Sequence, residues 1–147
     1  MTNTVSTRTP AQLAAMVYGA VFLVVGIAGF IPGLTTDYDL MKFAGHDSQA
    51  MLLGIFCVSI LHNIVHLLFG IAGLALARTH GGAVQFLIVG GAVYAVLWIY
   101  GLLIDKDSAA NFVPINSADN WLHFFLAITM IGLGVALRGR TAARRSV

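Results

Sequence analysis

The chain has 147 residues, of which 59% are hydrophobic and only 10% charged, with a formal net charge of +2. A soluble domain carries roughly 25% charged residues, so this surface is not built for water. All six acidic residues are aspartates, and the positive excess comes mainly from a basic C-terminal segment. Basic segments beside apolar blocks set membrane orientation or touch anionic lipid, so no nucleic-acid partner is expected. The single cysteine, Cys57, cannot form an internal disulfide and carries no information on redox compartment.

Residues 1–10 are polar, rich in Thr and Ser, and read as a disordered tail. Residues 11–31 are the first apolar block, interrupted only by Gln12. The block exceeds the roughly 7–15 residues of a signal-peptide core and no small-x-small site follows, so it reads as a membrane span. Gly19, Gly26 and Gly29 give it a surface for close helix packing, and Pro32-Gly33 ends it. After a polar loop, residues 51–77 form the second span. At helical rise it would be roughly 40 Å long, more than the roughly 30 Å of a hydrocarbon core, so it should tilt or project. Residues 78–82 are a tight turn that forces an antiparallel neighbour. Residues 83–104 are the third span, residues 105–119 a loop with three Asp, and residues 120–137 the fourth span. Residues 138–147 are the basic tail.

The expected fold is therefore all-α, an integral membrane bundle of four transmembrane helices in a single domain over residues 11–137. Arg8, Arg78 and four arginines of the tail lie on one side, while Lys42, Lys106 and all six aspartates lie on the other. The positive-inside rule puts both termini in the cytoplasm, with the bundle in the plasma membrane.

The sequence echoes itself. Gly19-Ala20-Val21-Phe22 recurs as Gly91-Ala92-Val93-Tyr94, and Asn63-x-x-His66 recurs as Asn120-x-x-His123. Asn and His are rare in membrane spans, so the pattern points to two copies of a helical hairpin. His62 and His66 are four apart and share a face, with Asn63 three before His66 and Ser59 three before His62. Helical rise puts His62 roughly 24 Å and His123 roughly 22 Å from the arginines that end their spans. Ser59, His62, Asn63, His66, Asn120 and His123 are thus expected to form one intramembrane polar cluster.

Polar groups at that depth lose water and need partners within the protein. Three readings follow. In the first, Asn and His hydrogen-bond between helices and the protein is an accessory or packing component of the membrane, not an enzyme. In the second, His62, His66 and His123 ligate haem or a transition metal, with the asparagines holding the rings in one tautomer. In the third, the imidazoles line a proton or small-solute path. His62-Asn63-x-x-His66 is not a zinc-protease motif, because Asn stands where a general-base Glu is needed. Asp105-x-Asp107 lacks the Gly and closing Glu of a calcium loop. Beyond the lipid bilayer, Gly19, Gly26, Gly70 and Gly73 suggest self-association or docking on a larger complex.

His62-Asn63-x-x-His66-Leu67-Leu68-Phe69-Gly70, Trp98-x-Tyr100-Gly101-x-x-Ile104-Asp105, Ser108-Ala109-Ala110-Asn111-Phe112-Val113-Pro114 and Asp119-Asn120-Trp121-Leu122-His123 together resemble a bacterial membrane family called domain of unknown function 4383. The resemblance covers all four spans. It implies four membrane helices, with the second long loop and the two histidine helices in one unit. It implies no activity and no catalytic residue.

Overall fold

The computed structural model describes residues 7–140. Four helices dominate: α1 (Pro10–Ala28), α2 (Ile60–Leu76), α3 (His80–Leu103) and α4 (Ser117–Leu137). Each starts at a side chain that accepts from an otherwise orphaned backbone N–H. Thr9 caps α1 in a reciprocal box with Gln12, and Pro10 takes the first helical position. Ser59 caps α2 and Thr79 caps α3. Asn116 caps α4 in a second reciprocal box with Asp119.

Helices α1, α3 and α4 are long and apolar enough to cross a membrane. With 17 residues, α2 meets only the lower limit of roughly 17–25. Large apolar side chains such as Val17, Val24, Val96 and Leu103 point outward, as a bundle solvated by lipid requires. The all-α membrane bundle expected from the sequence is the observed architecture.

Several boundaries differ from the sequence reading: α1 ends at Ala28 rather than 31, α3 starts at His80 within the expected 78–82 turn, and three differences are larger. Residues 51–59 are not helical. They contain β2 (Met51–Leu52) and β3 (Phe56–Cys57), which pair antiparallel. β1 (Thr35–Thr36) adds to the other edge of β2. Leu53 and Gly54 both adopt left-handed backbone, with φ of 54° and 69°. That turn cannot continue a helix, and the Ser59 cap fixes the true start. A short apolar run does not by itself distinguish strand from helix. The fourth helix starts before residue 120, because the Asn116–Asp119 box begins it. The N-terminal tail expected over 1–10 loses Thr9 and Pro10 to α1, while its residues 1–6 lie outside the described residues. Most of the basic tail, residues 141–147, also lies outside them.

The helices associate as two hairpins, α1 on α2 and α3 on α4. Their registers match. A β-carbon at Gly19 would stand 2.9 Å from the Leu74 backbone nitrogen and 3.0 Å from the Gly70 carbonyl oxygen. A β-carbon at Gly91 would stand 2.9 Å from the Ile131 nitrogen and 3.1 Å from the Ala127 oxygen. The offset that carries Gly70 and Leu74 onto Ala127 and Ile131 also carries Ser59, Asn63 and His66 onto Asn116, Asn120 and His123. Phe22 and its counterpart Tyr94 stack at the centre of the bundle, 5.5 Å apart and within 13° of parallel. The hairpins are structural repeats, and the two copies of the first echoed motif touch there.

The two ends of the bundle are tied differently. At the termini end, the Gln12 amide donates to the Ala77 and Arg78 carbonyls, each at 3.0 Å. His80 Nε2 donates to the Arg138 carbonyl at 2.9 Å, leaving Nδ1 to accept from the Thr9 hydroxyl at 3.0 Å. At the sheet end, Gly45 N–H donates to the Phe112 carbonyl at 2.7 Å, and the Asn116 amide donates to the Ile55 carbonyl at 2.7 Å. Those two bonds lock the long loops to each other and to α4.

Four small positions pack within the bundle: Gly19 and Gly70 meet backbone or side chain across α1–α2, Gly26 meets Leu67, and Gly73 meets Gly19 and Phe86 of α3. Gly19→Val or Gly91→Val should therefore push the hairpin apart and lower stability by about 1–3 kcal/mol, the usual cost of overpacking. Gly132→Val, at a site with nothing within 4 Å, should be tolerated. Thermal unfolding of the three variants in detergent checks this; equal melting temperatures would refute the register.

Candidate functional site

The site is built from the two echoed motifs. Ser59 is fully buried and its hydroxyl accepts from His62 N–H at 3.1 Å. One helical turn on, His66 Nδ1–H donates to the His62 carbonyl at 3.0 Å. That bond fixes the ring and leaves Nε2 as its free nitrogen. The His62 and His66 rings meet edge to face at 4.4 Å, with 85° between their planes. His66 lies against Phe22 at 5.9 Å, and the equivalent His123 lies against Tyr94 at 5.4 Å. The repeat thus places an aromatic from the first helix of each hairpin against a histidine of the second.

His62, His66 and His123 all line the same two cavities. One, of about 360 Å³, lies between α2, α3 and α4 beneath Phe112 and Val113. The other, of about 110 Å³, lies under the sheet against Val25, Leu52 and Phe56. The three rings form the partition between them. They are 3–8% exposed. The Nδ1 atoms of His62 and His123 are closed off and have no hydrogen-bond partner among the described residues. If either ring offers a nitrogen to a cavity, that nitrogen is Nε2.

The asparagines do not hold the imidazoles, contrary to the expectation above. Asn63 is 1% exposed, and its carboxamide fills the notch left by Gly29 just past the end of α1. Among the described residues its Nδ2 approaches the Met41 sulfur, at 3.9 Å. Asn120 fills the corresponding notch at Gly101 near the end of α3. Its Oδ1 has no partner among the described residues. A side chain in place of either glycine hydrogen would occupy the space of the amide. The sequence cluster is therefore two kinds of site: histidines facing the central cavities, and asparagines wedged between the helices of each hairpin.

Asp119 belongs to the cluster, although its polar sequence neighbourhood reads as loop. It occupies the place in α4 that His62 occupies in α2. It is 2% exposed and lines the smaller cavity. Its Oδ2 accepts from Cys57 N–H and Asn116 N–H, both at 3.0 Å. One carboxylate oxygen thus ties the sheet to the start of α4. The Asn116-x-x-Asp119 spacing is the capping signal that could have found it. Asn111 is the other missed residue: its amide bonds the Lys106 and Ile115 carbonyls and the Ile115 N–H, shaping the second long loop.

Among the described residues, no three His, Cys, Asp or Glu side chains are placed to hold one metal ion. The histidines gather, but His66 has already committed Nδ1 to the His62 carbonyl.

The family model described as Domain of unknown function (DUF4383) matches residues 12–136. The chain belongs to this family. The match runs across all four helices, both long loops and every residue of the cluster, so the features described above are those of a DUF4383 domain. No curated protein and no solved structure matches the chain.

At the edge of this DUF4383 site, outside the helices, Cys57 points its thiol at the Ser48 carbonyl, 3.4 Å away. Burial pushes the thiol from its ordinary 9.0 up to about 11, and the neighbouring Asp119 carboxylate adds to the rise. Only the thiolate attacks a maleimide. Two units of pKa lower its fraction at pH 8 roughly 100-fold. Cys57 should react correspondingly slowly at pH 8 and accelerate as pH approaches 11. Labelling at the rate of a free peptide cysteine would contradict the placement.

Proposed function

We propose that this DUF4383 protein is a non-catalytic accessory component of the bacterial plasma membrane, and that its buried His/Asn cluster fixes the packing of the two hairpins. One observation carries the reading: apart from the histidines, the polar side chains in and beside the cluster are committed to architecture. Ser59 caps a helix, Asn116 and Asp119 cap another and hold the sheet, and Asn63 and Asn120 fill glycine notches. Groups already holding backbone are poorly placed to act as nucleophile or base. Arg8, Arg78, Arg138 and Arg140 at one end, against Lys42 and Lys106 with six aspartates at the other, support cytoplasmic termini.

A second reading is favoured by the convergence of His62, His66 and His123 on shared cavities. In that reading the imidazoles rearrange slightly and ligate haem or a transition metal ion, and the His66–His62 bond is the outer contact that orients one ligand.

One experiment separates the two. The protein is purified from its native membrane, and its metal content, visible spectrum and thermal unfolding are measured with and without chelator, together with His123→Ala. Under the packing reading the preparation is colourless and metal-free, and chelator leaves both melting curves unchanged. His123→Ala lowers stability by about 1–3 kcal/mol through lost aromatic packing and the cavity it leaves. Stoichiometric metal or a Soret band lost in His123→Ala would replace the packing reading with the second one.

A further inference from the structure

The two seams between the hairpins differ, although the repeat relates them. Under the repeat, α2 faces α3 as α4 faces α1. At the α1–α4 seam the Tyr18 hydroxyl bonds the Thr129 hydroxyl at 2.7 Å. The repeat puts Gly90 and Ala72 in those two places at the α2–α3 seam. Both line a groove of about 450 Å³ between α2 and α3. One seam is plugged and the other is hollow.

The groove continues inward. Val65, Phe69 and Val93 line both it and the 360 Å³ cavity beside the histidines. Both volumes are in the range of small-molecule sites. Val65, Val89 and Val93 are 39%, 55% and 39% exposed, so the groove opens sideways toward lipid. No Lys, Arg or Asp lines either part; the polar side chains are Gln85 in the groove and His62, His66 and His123 in the cavity. At the inner end Tyr94 is 3% exposed and lines the cavity, and its hydroxyl bonds no described residue. Its counterpart Phe22 has no hydroxyl. The hollow seam therefore also carries, on a residue facing its inner cavity, a hydroxyl that the repeat does not require.

We propose that the α2–α3 groove is a lateral binding site for a single-chain membrane lipid: an isoprenoid or fatty chain ending in a small uncharged oxygen head. The chain lies along Ala72 and Gly90. The head lies beneath Phe112 and Val113, where the Tyr94 hydroxyl can bond its oxygen. A narrow cleft between two adjacent helices takes one chain, not two. An uncharged head fits a lining without a cation or carboxylate, since a buried unpaired charge is costly.

The test is photolabelling of the full chain in lipid nanodiscs with a diazirine-bearing hexadecanol, mapped by mass spectrometry. Unlabelled hexadecanol, farnesol and palmitate are the competitors. Saturable labelling within residues 65–76 and 85–94 is expected. The alcohol that competes better tells the fatty source from the isoprenoid one. The double substitution Ala72→Thr with Gly90→Tyr copies the plugged seam and should cut labelling at least tenfold. Tyr94→Phe should weaken competition several-fold, and Tyr18→Phe at the other seam should change nothing. If the double variant does not fold, Ala72→Leu alone serves as the plug. Labelling that spreads evenly over the lipid-facing side of α1, or that survives the plug, overturns the proposal. Palmitate competing better than both alcohols overturns the uncharged head.

Discussion

Everything else in this molecule depends on two close backbone contacts. At Gly19 and at Gly91, the first helix of each hairpin comes so near the second that a β-carbon would stand 2.9 Å from a backbone nitrogen. Within lipid there is little hydrophobic force to bring helices together, so small residues and dispersion contacts must do it. The two contacts have the same register. They set where each histidine and asparagine stands relative to the helix before it, and so they make the second hairpin a structural copy of the first.

The copy explains why costly polar groups persist inside the bundle. Each asparagine occupies a notch that only a glycine leaves open, at Gly29 in one hairpin and Gly101 in the other. Each histidine after it turns toward the centre, against Phe22 or Tyr94. The departures from symmetry are as informative as the matches. His62 in one copy is Asp119 in the other, and the carboxylate takes over the task of anchoring the sheet. Tyr18 and Thr129 close one seam, while Gly90 and Ala72 leave its equivalent open.

Much of this was legible in the sequence because apolar length and rare polar residues are strong signals in a membrane chain. The four helices, the hairpin repeat and the gathering of His62, His66 and His123 all follow from run length, spacing and depth. The sheet was not legible. Residues 51–58 are apolar without periodicity, and the left-handed Leu53–Gly54 turn that breaks them depends on pairing with Thr35 and Thr36 far earlier in the chain. The burial of Asp119 is hidden in the sequence because its capping box with Asn116 lies in a stretch with the composition of a polar loop. The direction of the asparagines could not be read from i, i+3 spacing. It depends on where α1 and α3 end, and on the glycine just inside or beyond each end.

The claim that the asparagines wedge each hairpin is tested most directly by thermal unfolding of Asn63→Ala and Asn120→Ala, with Thr36→Ala on the exposed sheet edge as reference. Removing a buried, well-packed amide leaves a cavity, so each helix variant should lose about 1–3 kcal/mol. Their losses should be similar to each other, because the two amides occupy equivalent notches, and both should exceed the reference. Melting curves for Asn63→Ala or Asn120→Ala that match the unsubstituted protein would contradict the account.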